Sequence, residues 1–381
     1  MKSLFLISIA IALLASVHSE AQSFKWAFSA GNHVDDANIG IETDQEGNVY
    51  TLGLISWGSV GNANANFQAY HITKQNKDGL HLWSKFMIYK PSMRIYDFKL
   101  YDNKLYVAGE FGDNFVYDGK AYNPGSNTQS NVLCVNTDGE YQWVTGYQFY
   151  VRGIYANNDG LFLSGFFVNS LKLGRYVHYS FSHKLHNFLL KLDDDHEVVW
   201  GAFSLGTLAP YVTSDSKGNI YIAGYGESFP FSINDITYTA QNSSFIAKYS
   251  KDGVLIWVEY FYTEYGRNNP TDIVVDGDDN VIVAFDNVGK AIFHDFSIYM
   301  VGTILFKFNE NGRRMWKRTF NGADNCKLAT DADNGIIAAF SRNSISVIDD
   351  YPGEVLQLPA GSLLIVKFHP LGFQQWARVG G

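Results

Sequence analysis

The sequence predicts an all-β fold: a β-propeller of six blades, each with four antiparallel strands, with seven blades as the alternative. Three observations predict it. One spacing recurs six times: a residue on a strand, a turn glycine five positions later, and a tryptophan four further on. Lys74, Gly79 and Trp83 show it, as do Lys248, Gly253 and Trp257, then Lys307, Gly312 and Trp316, then Lys367, Gly372 and Trp376. Two copies are imperfect. Cys134 takes the lysine place before Gly139 and Trp143, and His196 takes the glycine place between Lys191 and Trp200. The six tryptophans give a period of 57 to 60 residues, a size that fits one propeller blade. Finally, aromatics form 16% of the chain, with 35 Gly and only 8 Pro, which suits pleated half-buried surfaces joined by many turns.

Residues 1–21 read as a signal peptide. Lys2 supplies the positive start, Leu4 to Val17 is apolar, and Ser19-Glu20-Ala21 places small residues at a cleavage site before Gln22. The apolar stretch is shorter than the about 20 residues a membrane span needs. No cysteine follows the cut, which argues against a lipid anchor there. The expected product is an exported, soluble chain, 22–381, forming one domain. Its repeats span approximately 31–88, 89–148, 149–205, 206–262, 263–321 and 322–381.

The fifth copy shows the unit most clearly. Asp272 to Asp276 is a first strand, Gly277 to Asp279 a turn, and Asn280 to Phe285 the second strand. Thr303 to Phe308 is the third, and Arg314 to Thr319 the fourth, after a turn at Asn309 to Gly312. The first turn recurs as Asp44-Gln-Glu-Gly-Asn48 and Asp215-Ser-Lys-Gly-Asn219, a hairpin signal because Gly and Asn tolerate positive φ. Gly53, Gly109, Gly165 and Gly224 close the second strand, with Phe285 and Phe340 in that place in copies five and six. The expected reason is close approach of neighbouring blades. Between second and third strands lie alternating insertions, Phe115 to Tyr122, Phe231 to Tyr238 and Ile292 to Tyr299, each expected to form a small hairpin on one rim. Insertions in repeat proteins often mark the binding face. One segment exceeds the count: Phe24-Lys-Trp26-Ala-Phe28 resembles a fourth strand and precedes the first unit. It is expected to add to the last blade or to overlap the closure.

Charge narrows the partners. The chain carries 29 basic and 38 acidic residues, a net charge of −9, and losing Lys2 and Glu20 leaves that balance unchanged. Nucleic acid and anionic membrane surfaces need clustered Lys and Arg, so both are disfavoured. Cys134 is expected on a third strand and Cys326 just before a first strand, as two buried thiols too far apart to bridge.

Few residues suggest chemistry. His178, His183 and His186 cluster on one insertion, but without a cysteine or a zinc-ligand spacing they read as a polar loop. Asp193 to Asp195 and Asp276 to Asp279 sit at repeat turns and lack the calcium-loop pattern. The repeated lysines read as stems that cover a tryptophan or pair with a turn carboxylate. Trp57, in Ser56-Trp57-Gly58, is the one tryptophan outside the repeat frame. On a rim loop it could stack on a sugar or anchor a protein, so it is the candidate ligand contact. No nucleophile elbow, Walker loop, His-Glu-x-x-His or dinucleotide glycine set is present.

These units resemble the bacterial secreted β-propeller repeat family, which combines an Asp-x-x-Gly-Asn-x-Tyr turn and strand, a Phe-x-x-Lys third strand and a Gly-x-x-x-Trp closing strand. Asp44 to Gly53 with His71 to Trp83, and Asp215 to Gly224 with Phe245 to Trp257, are close copies. Tyr101-Asp-Asn-Lys104 is the poorest. The resemblance implies an exported interaction platform with no shared catalytic residues to carry over. The expected function is a non-catalytic binding or scaffold module, a secreted or periplasmic monomer with no metal or cofactor, whose ligand is a protein or a glycan on the insertion-bearing rim. The alternative is a polysaccharide lyase or glycoside hydrolase built on a propeller, an expectation that rests on fold analogy.

Overall fold

A computed structural model describes residues 37–57, 67–88, 93–112, 115–126, 128–179, 185–226, 231–234, 236–239, 243–294, 296–342, 346–348 and 362–380. The expected leader and the strand-like segment 24–28 lie outside them. The described chain is a β-propeller built from successive four-stranded antiparallel meanders. Unit one is Ala37–Thr43, Val49–Trp57, Phe67–Gln75 and His81–Ile88. Unit two is Arg94–Tyr101, Lys104–Glu110, Ser130–Asn136 and Tyr141–Tyr147. Unit three is Tyr150–Asn157, Gly160–Phe167, His186–Leu192 and Val198–Leu205. Unit four begins Thr207–Ser214, Ile220–Gly226 and Ser243–Tyr249. Its fourth strand runs without a break into the first strand of unit five, as Leu255–Val275. Unit five continues with Val281–Ile292, Ser297–Phe308 and Arg314–Asn321. Unit six is Asp324–Thr330, Ile336–Arg342, Ser362–Phe368 and Gln374–Gly380. The first strands of consecutive units lie side by side and line the axis.

The turns follow from short polar side chains. Asp44 Oδ1 accepts the backbone N–H groups of Glu46 and Asn48 at 3.0 and 2.9 Å, and Asp215 does the same for Lys217 and Asn219. Asn76 and Asn309 build the turns between third and fourth strands in this way. Such Asx turns make the Asp/Gly/Asn clusters hairpin signals. Unit two departs from the pattern and turns on two residues, Asp102 and Asn103, at φ 46° and 57°. Both angles are positive, as a type I′ turn requires.

Among the described residues, five hydrophobic clusters each join one unit to the next, from units one and two through to units five and six. Between units five and six, Leu305 and Phe320 meet Leu364 and Phe368, all buried. Burying one such side chain contributes about 1.5–3 kcal/mol. Cys134 and Cys326 are buried free thiols in two of these clusters. Cys326 lies within the first strand of unit six rather than before it.

Two expectations about the frame change. Gly109, Gly165 and Gly224 do not make room for a neighbouring blade. Each faces a bulge in the first strand of its own unit, where an added Cβ would lie 2.4, 1.9 and 2.3 Å from the carbonyl oxygens of Arg94, Tyr150 and Leu208. The insertions differ as well. The hairpin Phe115–Tyr117 and Lys120–Tyr122 pairs with the fourth strand of unit one, through Met87 and Tyr117. Phe231–Ile233 and Ile236–Tyr238 pair in the same way with unit three, and Ser346–Ile348 pairs with unit five. These segments cover the outer edge of the preceding blade and satisfy backbone groups that an edge strand leaves open. Phe115, Tyr117 and Ile233 are buried there. The hairpin Ser170–Leu173 and Tyr176–Tyr179 forms a separate two-stranded sheet. In unit five the hairpin at Ile292 to Tyr299 is the tip of the extended second and third strands, which pair as far as Ile292 and Ser297 and turn where Phe293 N–H donates to the Phe296 carbonyl.

Candidate functional site

The repeated Lys, Gly and Trp form a lock between units. Trp83 Nε1 donates to the carbonyl of Thr137 in the next unit at 3.2 Å, and Lys74 Nζ donates to the same oxygen. Trp257 and Lys248 share Glu310, and Trp316 and Lys307 share Pro370, at 3.0 to 3.1 Å. Trp200 donates to Lys251. Two residues past each acceptor stands the turn glycine, Gly139, Gly253, Gly312 or Gly372, with φ between 77° and 91°. An added Cβ there would meet the tryptophan ring of the preceding unit at 2.7 to 3.2 Å. In unit three His196 replaces the glycine at φ 62°, and its ring packs on Trp143 at 4.1 Å. The lysines also pair with turn carboxylates: Lys248 with Asp215 at 3.1 Å, Lys307 with Asp276 at 2.6 Å and Lys367 with Asp331 at 2.5 Å. Burial pushes the Asp215 carboxyl up, but hydrogen bonds from Asn219 and Lys248 outweigh it and hold the pKa below the usual value. The repeat signature is therefore spent on the ring.

Bulges in the first strands turn a second set of residues inward at one level. The residue after each bulge is Gly40, Asp97, Gly153, Tyr211, Asp272 or Lys327. Asp97 accepts the N–H of Phe98 and, across the unit boundary, that of Ile154, both at 2.8 Å. Asp272 accepts Ile273 at 2.9 Å and Leu328 of unit six at 2.8 Å. Lys327 lies over the Tyr211 ring at 5.4 Å and donates to Thr271, and Lys99 pairs with Glu42 at 2.8 Å. Asp97 is half-buried, and burial pushes its pKa up to about 6 against the pull of its backbone hydrogen bonds. Burial also raises Asp272, against the opposing pull of Lys327. Both carboxylates accept two backbone amides each, one of them from the next unit, so they stitch neighbouring units together.

In the first strand of unit three, Arg152 is held between rings. Its guanidinium lies 3.6 Å from the Tyr96 centroid and 5.2 Å from that of Phe166, and it pairs with Glu110 at 3.0 Å. Tyr96 donates to the same carboxylate at 2.9 Å. This cluster is also internally satisfied.

The rim of unit five differs. Tyr265 and Tyr299 are 72% and 77% exposed, far more than ring packing requires. They stand on two strands that flank the second strand of the unit, and Lys290 on that strand is the cross-strand partner of Tyr299 and is paired with Glu264 at 2.6 Å. Two inter-strand steps separate the tyrosines by about 10 Å. The strands bend at Gly266 and Gly289, with φ 111° and 106°, where a Cβ would lie within 1.7 Å of the partner carbonyl. The strand extension thus presents two aromatic rings around an ion pair.

The sequence candidates fall elsewhere. Trp57 is the last residue of its second strand, paired with Phe67, rather than a loop residue. His178 and His186 do not form a polar loop: His178 stacks on Phe203 at 3.7 Å and His186 packs on Phe167 at 5.3 Å. His183 lies outside the described residues. Asp193 accepts the N–H groups of Asp195 and Glu197, and Asp276 those of Asp278 and Asn280. Tyr265 was not singled out in the sequence; the insertion ending at Tyr299 was the available signal.

No family model and no curated protein matches the sequence. Among solved structures, BamB from Moraxella catarrhalis is similar at 11% identity, covering 89% of this chain and 97% of that one, with a TM-score of 0.40. The extracellular domain assigned to a hybrid two-component system of B. thetaiotaomicron is similar at 10% identity, covering 91% and 72%, with a TM-score of 0.20. Overlaps this low carry no argument about function. No helix among the described residues is long and apolar enough to cross a membrane.

Proposed function

We propose that this chain is an exported, non-catalytic binding or scaffold module with a glycan ligand on the rim of unit five. One observation carries the reading: Tyr265 and Tyr299 expose their rings beside the Lys290–Glu264 pair, while the lock residues, the axis residues and the Arg152 cluster are bound to one another. Tyrosine offers a large rigid face with a polar tip, at little conformational cost, which suits stacking on a sugar ring edged by hydroxyls. The leader at 1–21, the single domain 22–381 with its six repeats, a secreted or periplasmic monomer, and kinship with the secreted propeller repeats belong to the same reading. Trp57 ends a second strand of unit one and is a second contact in this proposal.

The test is calorimetric titration of the chain from Gln22 with a panel of glycans, repeated for Tyr265→Ala, Tyr299→Ala and Trp57→Ala. Losing one ring contact of about 1 kcal/mol weakens binding about fivefold. Tyrosine-dependent binding without turnover supports the proposal. New reducing ends or unsaturated products would favour the enzyme alternative. Absence of glycan binding, with a tyrosine-dependent protein partner recovered from the cell envelope, would make the ligand a protein.

A further inference from the structure

We infer that the glycan on the rim of unit five is acidic. Arg267 binds its carboxylate or sulfate group, while Tyr265 and Tyr299 carry its rings. Both statements rest on the glycan reading of this rim and narrow it to one class of sugar.

Strand register lays the exposed face out in rows. In the outer row, Glu264 and Tyr265 fill the bulge between Thr263 and Gly266, against Lys290, and Lys290 stands opposite Tyr299. In the next row, Arg267 stands opposite Val288, and Val288 opposite Val301. Alternation sends the residues between these rows, Gly266, Gly289 and Met300, to the other face of the sheet. Exposure follows the same division. Arg267 is exposed and Val301 is 41% exposed, whereas Met300 is buried. Two residues along a strand span about 7 Å, and neighbouring strands lie about 4.8 Å apart. Arg267 therefore stands one row from the tyrosines, where its long side chain meets a substituent of a sugar stacked on them.

Charge on this face is unbalanced. Glu264 is taken by Lys290 at 2.6 Å. Asp286, one row further toward unit six, accepts the Thr303 hydroxyl at 2.7 Å and the N–H of Asn325 at 2.9 Å. Burial raises the Asp286 pKa, and Arg267 opposes that only as a weak, longer-range attraction. Among the described residues no carboxylate pairs with Arg267 and no hydrogen bond holds its guanidinium. Arg152 is the contrast, held by Glu110 and by the Tyr96 ring. The two exposed rows thus carry Arg267 and Lys290 against Glu264 alone, two cations to one carboxylate. A guanidinium is a planar fork of donors that matches the oxygens of an oxyanion in pairs. The chain as a whole is −9 and repels polyanions, so an acidic sugar binds it only where a cation is left open. The rim of unit five supplies that cation beside two stacking faces.

Calorimetric titration of the chain from Gln22 with matched pairs of sugars tests the assignment. The acidic members are oligogalacturonate, oligomannuronate, hyaluronan and chondroitin sulfate, and each is paired with its carboxyl-reduced or desulfated counterpart. At least one acidic member should bind about tenfold tighter than its counterpart at low salt, the gain expected from charge-assisted hydrogen bonds. That advantage should shrink as salt rises. Arg267→Gln should erase it, and Arg267→Lys should restore part of it, which separates loss of charge from a disturbed sheet. Tyr299→Ala should weaken the same complex. Whether the uronates or the sulfated sugar gains tells a carboxylate ligand from a sulfate one. Tyrosine-dependent binding in which no acidic member outdoes its counterpart would overturn the acidic assignment and leave the glycan reading standing. An advantage that survives Arg267→Gln would overturn the role of Arg267. No binding by any member of any pair would overturn both readings.

Discussion

Removing the Lys307 ammonium should cost about 3 kcal/mol of stability, far more than a surface ion pair is worth. The Lys307 and Asp276 side chains are 1% and 0% exposed and meet at 2.6 Å. Lys307→Met keeps most of the stem and deletes the charge, which leaves the carboxylate buried without its cation. Losing one partner of a buried pair costs about 3–5 kcal/mol. The lower end applies because Asp276 keeps the N–H groups of Asp278 and Asn280 and the Asn280 side chain. The same substitution removes the hydrogen bond to Pro370 in unit six, a loss of about 1 kcal/mol already within that range. Adding Asp276→Asn neutralises the orphaned charge while leaving an oxygen to hold the turn, so the double variant should recover most of the loss. Lys217→Met is the control, because its pair with Glu310 is 56% and 46% exposed and such pairs contribute at most about 1 kcal/mol. The assay is urea unfolding at neutral pH, followed by circular dichroism, with midpoints converted at a common slope. A Lys307→Met loss no larger than that of Lys217→Met would refute the reasoning. So would a double variant no more stable than the single one.

Other expectations concern the lock, pH and the thiols. Gly312→Ala should destabilise by at least about 1 kcal/mol in the same assay, because φ is 79° and the new Cβ would sit 3.0 Å from Trp257. His196→Gly should change stability by less, since relief of a positive φ offsets the lost contact with Trp143. Asp97 titrates near pH 6 when folded, above its unfolded value of about 3.9, so its contribution to stability falls as pH rises through that window. The melting temperature of Asp97→Asn relative to wild type should therefore rise between pH 4 and pH 7. Asp215 is shifted the other way and stabilises above its unfolded pKa, so the deficit of Asp215→Asn should shrink as pH falls below 4. Burial pushes the Cys134 thiol up to about 12 and raises Cys326 well above its usual value. A thiol reagent at pH 8 should label neither in the native protein and both in urea.

The period of the tryptophans made the propeller legible, because one residue performs the same packing at each junction. The reason for the second-strand glycines was not legible. Gly165 looks the same in sequence whether it meets a neighbouring blade or the Tyr150 carbonyl of its own bulge. Bulges also hid the axial group: Asp97 and Asp272 share no motif, and only the shift of one residue in two separate strands turns both inward. Alternation in the insertions was visible, but their position was not, since pairing of Tyr117 with Met87 depends on an edge in another unit. The rim pair escaped for the same reason. Tyr265 and Tyr299 are 34 positions apart, and only the strand between them makes them neighbours.

The most direct test of the account, that the repeated residues are spent on joining the units, is hydrogen exchange at the tryptophan indoles of ¹⁵N-labelled protein. Trp83, Trp200, Trp257 and Trp316 donate to carbonyls of the following unit at 2.9 to 3.2 Å, and their N–H groups should exchange far more slowly than a free indole in the same buffer. Exchange of all four at the rate of a free indole would contradict the lock, and with it the claim that function is left to the rim.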